Sequence, residues 1–133
     1  MDAFVYHKRR IDWNKFYTQV NKFGKARPIL DSWHPEYTKL TFWFPTLFLF
    51  GMSIAIILMF FKIYLPILAL LAYFLTLFID STIKNKSSRV GMLSVVATLI
   101  QFYGYGKGFL LSFIKVKLMK QKPQIAFPEL FFK

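Results

Sequence analysis

TFWFPTLFLFGMSIAIILMFF, Thr41 to Phe61, runs for 21 residues without a charged side chain. At 1.5 Å per residue a helix of that length is roughly 30 Å long, about the thickness of one hydrocarbon core. Phe42, Trp43 and Phe44 open the run, where an interfacial aromatic belt belongs. Pro45 falls in its first turns, where a missing N–H does little harm. A second uncharged block, Ile63 to Ile79, follows between Lys62 and Asp80. Lys62, Tyr64 and Pro66 mark a tight turn, so residues 40–79 read as a transmembrane helical hairpin.

A third apolar block, Val90 to Ile114, is interrupted by Lys107. Residues 1–39 hold eight Lys and Arg, the hairpin turn only Lys62, and residues 80–89 three. The positive-inside tendency puts the N-terminus and an 80–89 loop in the cytoplasm. If residues 90–114 cross once, the tail with Lys115, Lys117, Lys120 and Lys122 emerges on the far side, against that tendency. If they re-enter near Gly104–Gly108, the tail stays with the N-terminus. A continuous helix satisfies its own backbone in lipid, which makes a span the expectation and re-entry its alternative. The tail, residues 115–133, is basic and from Gln121 onward reads as extended, with Pro123 and Pro128, ending in Leu130-Phe131-Phe132.

Composition agrees with a membrane protein. The charge is +12, yet 56% of residues are hydrophobic, 17 are Phe, and the apolar residues come in long blocks. Charge alone would suggest nucleic acid or a basic membrane peptide. The blocks shift the expected partner to anionic headgroups or phosphate-bearing substrates, with no nucleic acid. There are no cysteines, so disulfide and thiolate chemistry are excluded. No cleavable signal is visible, since the first apolar run starts about forty residues in.

Ahead of the hairpin lies RRIDWNKFYTQVNKFGKARP, Arg9 to Pro28. Trp13, Phe16, Tyr17, Val20, Phe23, Gly24 and Arg27 share one helical face. Asn14, Lys15, Thr18, Gln19, Asn21, Lys22 and Lys25 fill the other. Asp12 suits the N-cap, and Pro28 disfavours helical geometry at Arg27, so a helix of about fifteen residues is expected. Aromatics on one side and lysines on the other suit a helix lying in the membrane interface, with residues 1–39 forming that helix and a linker. An amphipathic helix packed on a soluble partner has the same pattern. Arg9, Arg10, Lys22, Lys25, Arg27 and Lys107 are the candidate phosphate or headgroup contacts.

Catalytic chemistry finds no footing. His7 and His34 are isolated, and Asp2, Asp12, Asp31 and Glu36 form no D-x-D and no close pair of the kind that holds a metal against a diphosphate. There is no nucleophile elbow and no phosphate-binding P-loop. GYGKG, Gly104 to Gly108, resembles a phosphate loop superficially but sits in an apolar block. Gly104 and Gly108, at i and i+4, suit close helix packing, and Lys107 beside Tyr103 and Tyr105 suits snorkelling to headgroups.

VYHKRRIDWNKFYTQVNKFGKARP, HPEYTKL, FPTLFLFG and FYGYGKGFL, in that order from Val5 to Phe113, carry a resemblance. They resemble the membrane region that follows the catalytic domain in bacterial membrane-bound family 2 glycosyltransferases. The resemblance implies a GT-A domain, absent from this chain, binding a nucleotide-sugar through a divalent metal at D-x-D. It also implies an interfacial helix seating that domain on the inner membrane, with its N-terminus cytoplasmic. In processive relatives this helix carries Q-x-x-R-W near the donor diphosphate and the acceptor. Gln19 matches that motif, Lys22 stands for its Arg and Phe23 for its Trp. Lys keeps a cation but loses the bidentate fork.

The expected fold is therefore an all-α membrane protein: an N-terminal amphipathic interfacial helix, a transmembrane hairpin and a third apolar helix, spanning or re-entrant. The expected function is the membrane-anchoring, acceptor-side module of a family 2 glycosyltransferase for cell-surface polysaccharide or glycolipid synthesis. Such a module is a C-terminal piece, without a cofactor of its own and inactive alone, meeting a lipid-linked or polysaccharide acceptor. The alternative is a stand-alone structural or partner-binding membrane subunit with no sugar chemistry.

Overall fold

A computed structural model describes residues 12–132, and these are helical, with no strand among them. Four long helices make up most of the chain: α1 (Trp13–Trp33), α2 (Phe44–Phe60), α3 (Leu65–Asn85) and α4 (Ser88–Ser112). A π-helical turn, Phe113–Leu118, prolongs α4, and the short α5 (Pro123–Ala126) lies in the tail. The stretch Leu40–Phe60, with mean hydropathy 2.1, and α3, with 1.8, are long and apolar enough to cross a membrane.

Asp12 caps α1 as its sequence suggests, its carboxylate accepting from the Lys15 N–H at 3.1 Å. The helix does not stop at Pro28. It continues through that residue to Trp33. Proline inside a helix removes one hydrogen bond and crowds the preceding turn, a cost of about 3 kcal/mol. Two features offset it. The Pro28 ring is fully buried, and an Arg27–Asp31 ion pair of 3.0 Å reinforces the turn that follows it. Arg27 Nη2 also donates to the Tyr37 carbonyl at 2.8 Å, and its guanidinium sits 3.5 Å from the centre of the Phe42 ring. The linker between α1 and α2, with 3-10 turns at Pro35–Tyr37 and Leu40–Trp43, is thereby pinned to α1.

The turn joining α2 to α3 lies where Lys62, Tyr64 and Pro66 mark it. Lys62 adopts a left-handed φ of 61°, while the N–H groups of Lys62 and Ile63 return to the Met59 and Leu58 carbonyls. The next loop is much shorter than residues 80–89. Only Lys86 and Ser87 leave helical geometry, because the polar residues that end the apolar block do not end the helix. Asp80 and Lys84 pair at 2.9 Å one turn apart, and Asn85 donates to the Ser81 carbonyl. Lys86, with φ 51°, closes α3 as Lys62 closes α2, and Ser87 caps α4.

α4 is the hub. It packs on α1, α2 and α3, whereas α2 and α3 touch each other only slightly. Its glycines divide the work. A Cβ on Gly104 would lie 2.6 Å from Val20 Cγ2, and one on Gly108 would overlap the Asn21 carbonyl oxygen, so both face α1. Gly106, two residues from each and therefore on the opposite side, faces Pro45 and Leu49 of α2. Gly91 faces Phe78 and Thr82 of α3. α1 answers with its own glycine: a Cβ on Gly24 would overlap the Tyr105 carbonyl oxygen. Phe48, 4.3 Å from the Phe102 ring and about 6 Å from Tyr73 and Phe74, ties α2, α3 and α4 together.

The tail is not extended. After the π-helical turn and a left-handed Lys120 (φ 52°), it folds back on α1 through α5 and a 3-10 turn at Pro128–Leu130. Ala126 and Phe127 bury against Ile29, with Val116, Leu130 and Phe131 around them.

Candidate functional site

The packing of α1 decides which side chains remain free to act. Its inner face runs along Tyr17, Val20, Asn21, Gly24 and Pro28. This stripe is set by the close approach at Gly24 and not by the aromatic positions alone. Asn21 belongs to it, donating to the Gly104 carbonyl at 2.9 Å. Phe23, assigned by spacing to the apolar face, points outward and is 59% exposed.

The structure divides the candidate cations. Lys25 turns to the tail, where its Nζ pairs with Glu129 at 2.9 Å and lies 5.4 Å from the centre of the Phe127 ring. Lys115 approaches the same ring at 5.1 Å. The hydrogen bond from Lys25 holds the Glu129 carboxyl below its ordinary range. Arg27 is committed to Asp31, Tyr37 and Phe42. Neither is presented to an outside phosphate. Spacing missed the commitment of Lys25 because its partners, Glu129 and Phe127, lie about a hundred residues away, and that of Arg27 because the helix was expected to end there, before Asp31. Arg9 and Arg10 lie outside the described residues. Lys107 is exposed, 5.6 Å from the centre of the Tyr103 ring.

What stays open is the outer face. Asn14, Lys15, Thr18, Gln19 and Lys22 line a shallow groove of about 430 Å³, with Phe23 beside it in sequence. Gln19, Lys22 and Phe23, the positions resembling Q-x-x-R-W, are all exposed. This groove offers amide, hydroxyl and ammonium groups, which suits binding an anion or a polar surface and supplies neither a general base nor a metal ligand. A second, apolar groove of about 590 Å³ lies at the start of α2, lined by Leu40, Thr41, Phe44 and Leu47. Among the described residues no group of His, Asp or Glu is arranged to hold a metal ion. His34 instead meets Glu36 at 3.3 Å on the surface. Comparison with protein-family models, curated proteins and solved structures finds no match to this chain.

Proposed function

We propose that the chain is an integral membrane protein serving as the anchoring, acceptor-side module of a family 2 glycosyltransferase. In this reading the α2–α3 hairpin crosses the bacterial inner membrane, and the N-terminus is cytoplasmic. Support for the membrane setting comes from α3: 21 residues of mean hydropathy 1.8, almost none of it buried within the protein. An apolar helix buried in a soluble core would be covered by protein. Leaving this one in water would forfeit about 25 cal/mol for every Å² of apolar surface.

The acceptor-side role rests on one observation above the others. α1 is clamped through its inner face, while Gln19, Lys22 and Phe23 stand on its free face. A platform helix needs that division, because binding energy reaches a partner only if the helix presenting it does not move. A GT-A domain would supply the D-x-D carboxylates, the divalent metal and the nucleotide-sugar. Lys22 would add one cation near the donor diphosphate or a lipid-linked acceptor, for synthesis of a cell-surface polysaccharide or glycolipid.

The test begins with the coding DNA directly upstream, where a D-x-D-bearing domain in frame, or across a single frameshift, is expected. Co-expressed with this chain, that domain should move to the membrane fraction, and Gln19→Ala combined with Lys22→Ala should return it to the soluble fraction. A domain indifferent to the chain overturns the proposal and favours a stand-alone structural subunit.

A further inference from the structure

The path of α4 bears on the topology, given the membrane reading above, in which α2 and α3 each cross once. On that footing the start of α2 and the end of α3 lie at the same face of the bilayer. α4 runs from one to the other. Its first turns pack on the end of α3, with Gly91 against Phe78 and Thr82, and the Ser94 and Ser81 hydroxyls 2.6 Å apart. Its last turns pack on the start of α2. Thr46 donates to the Gly106 carbonyl at 3.3 Å, and the Trp43 ring stands 4.9 Å from Phe109 and 4.7 Å from Phe113. The same last turns carry α1, and the tail returns to α1 through Phe127, the Lys25–Glu129 pair and the Trp33–Phe131 contact.

A helix with both ends at one face has not crossed. We infer that α4 is a slanted strut within one leaflet. α1, the Lys84–Arg89 turn and the Lys115–Lys122 segment then form one basic surface, whose partner is the anionic headgroup layer of that leaflet. Charge agrees. Lys62, at the hairpin tip, is the sole Lys or Arg between Lys39 and Lys84, and every basic cluster falls on the other face. This arrangement removes the conflict that a spanning third helix creates with the positive-inside tendency. It also fits the polar content of α4, where Ser94, Thr98, Gln101 and Lys107 interrupt the apolar run.

The absence of cysteine makes the test clean. Ile63→Cys, Arg89→Cys and Lys122→Cys, each in the full chain, would be treated with a membrane-impermeant maleimide in sealed vesicles of both orientations. Gln124→Cys gives a second report on the tail should Lys122→Cys accumulate poorly. The expected result is labelling of position 63 from one side, and of 89, 122 and 124 from the other, each with at least a tenfold preference. If the tail positions label with 63, α4 crosses and the inference falls. If all positions label from one side alike, the hairpin itself does not cross, and the membrane reading fails instead. A polarity-sensitive fluorophore on the 89 and 122 thiols should shift when phosphatidylglycerol is added to phosphatidylcholine vesicles, and molar salt should reverse the shift. No shift removes the anionic headgroups as partner.

Discussion

Glycine has two different meanings in this chain, and substitution separates them. At Gly24 a methyl group would meet backbone, the Tyr105 carbonyl and the Phe109 N–H, neither of which can swing away. At Gly51, an exposed position in α2, nothing lies within 4 Å. Gly24→Ala should therefore destabilise the fold by about 1–3 kcal/mol through overpacking. Gly51→Ala should be neutral or stabilising by up to about 1 kcal/mol, since alanine is the better helix former. Thermal unfolding in detergent measures both, and equal effects would contradict the seam. The spacing of Gly104 and Gly108 already announced close packing. The role of Gly24 did not show, because a lone glycine inside a helical pattern carries no label of what approaches it. The left-handed lysines were equally hidden. Lys62, Lys86 and Lys120 occupy positions where glycine is the usual residue. Each accepts backbone strain while setting a positive charge at the carbonyl end of a helix, where the dipole favours it.

Between elements, the tail strap and the linker staple do the joining. Glu129 provides the strap with its one carboxylate, and the Lys25 hydrogen bond holds that carboxyl below its ordinary range. A group whose folded pKa is depressed adds stability above its unfolded pKa and loses it as pH falls through the folded one. The tail should therefore be held at neutral pH and released as pH falls below the ordinary carboxylate range, by a small margin because Glu129 is 44% exposed. Limited proteolysis at residues 119–132 against pH reads the release, and Glu129→Gln should flatten the curve by loosening the tail at neutral pH. Element boundaries were only partly legible. The hairpin turn was readable because charge, aromatic and proline coincide there. α3 outran its apolar block because its polar end packs on α4, with Thr82 against Gly91 and Ser81 against Ser94, while the exposed Asp80–Lys84 pair adds only a few tenths of a kcal/mol. Pro28 misled because local sterics argue for a stop, while burial of the ring, a tertiary effect, decides against it. The folded tail depends on Ile29 and Lys25, and no local pattern could have reported them.

For the molecule as a whole, the decisive quantity is apolar surface left uncovered by protein. Leu75, midway along α3, is 58% exposed. In water Leu75→Lys would be harmless or helpful. At the centre of a span it should oppose insertion by roughly 2.5–3.5 kcal/mol and lower the alkali-resistant membrane fraction several-fold. Unchanged extraction would count against α3 as a span. That two helices are this apolar was plain from composition, whereas the position of α4 as hub was not. Its hydropathy is interrupted, and its partners are chosen by which face each glycine occupies, a property of angle that a count of apolar residues does not contain. The Gly24–Tyr105 seam also has a consequence in time. On a ribosome α1 is synthesised long before the Gly104–Gly108 surface that seats it, and the whole α2–α3 hairpin is made in between. α1 must wait, its inner stripe uncovered, until the Gly104–Gly108 stretch has been made. Docking of α1 thus follows synthesis of the hairpin that separates it from its seat, and any factor that shields an uncovered helix face has its window during that delay.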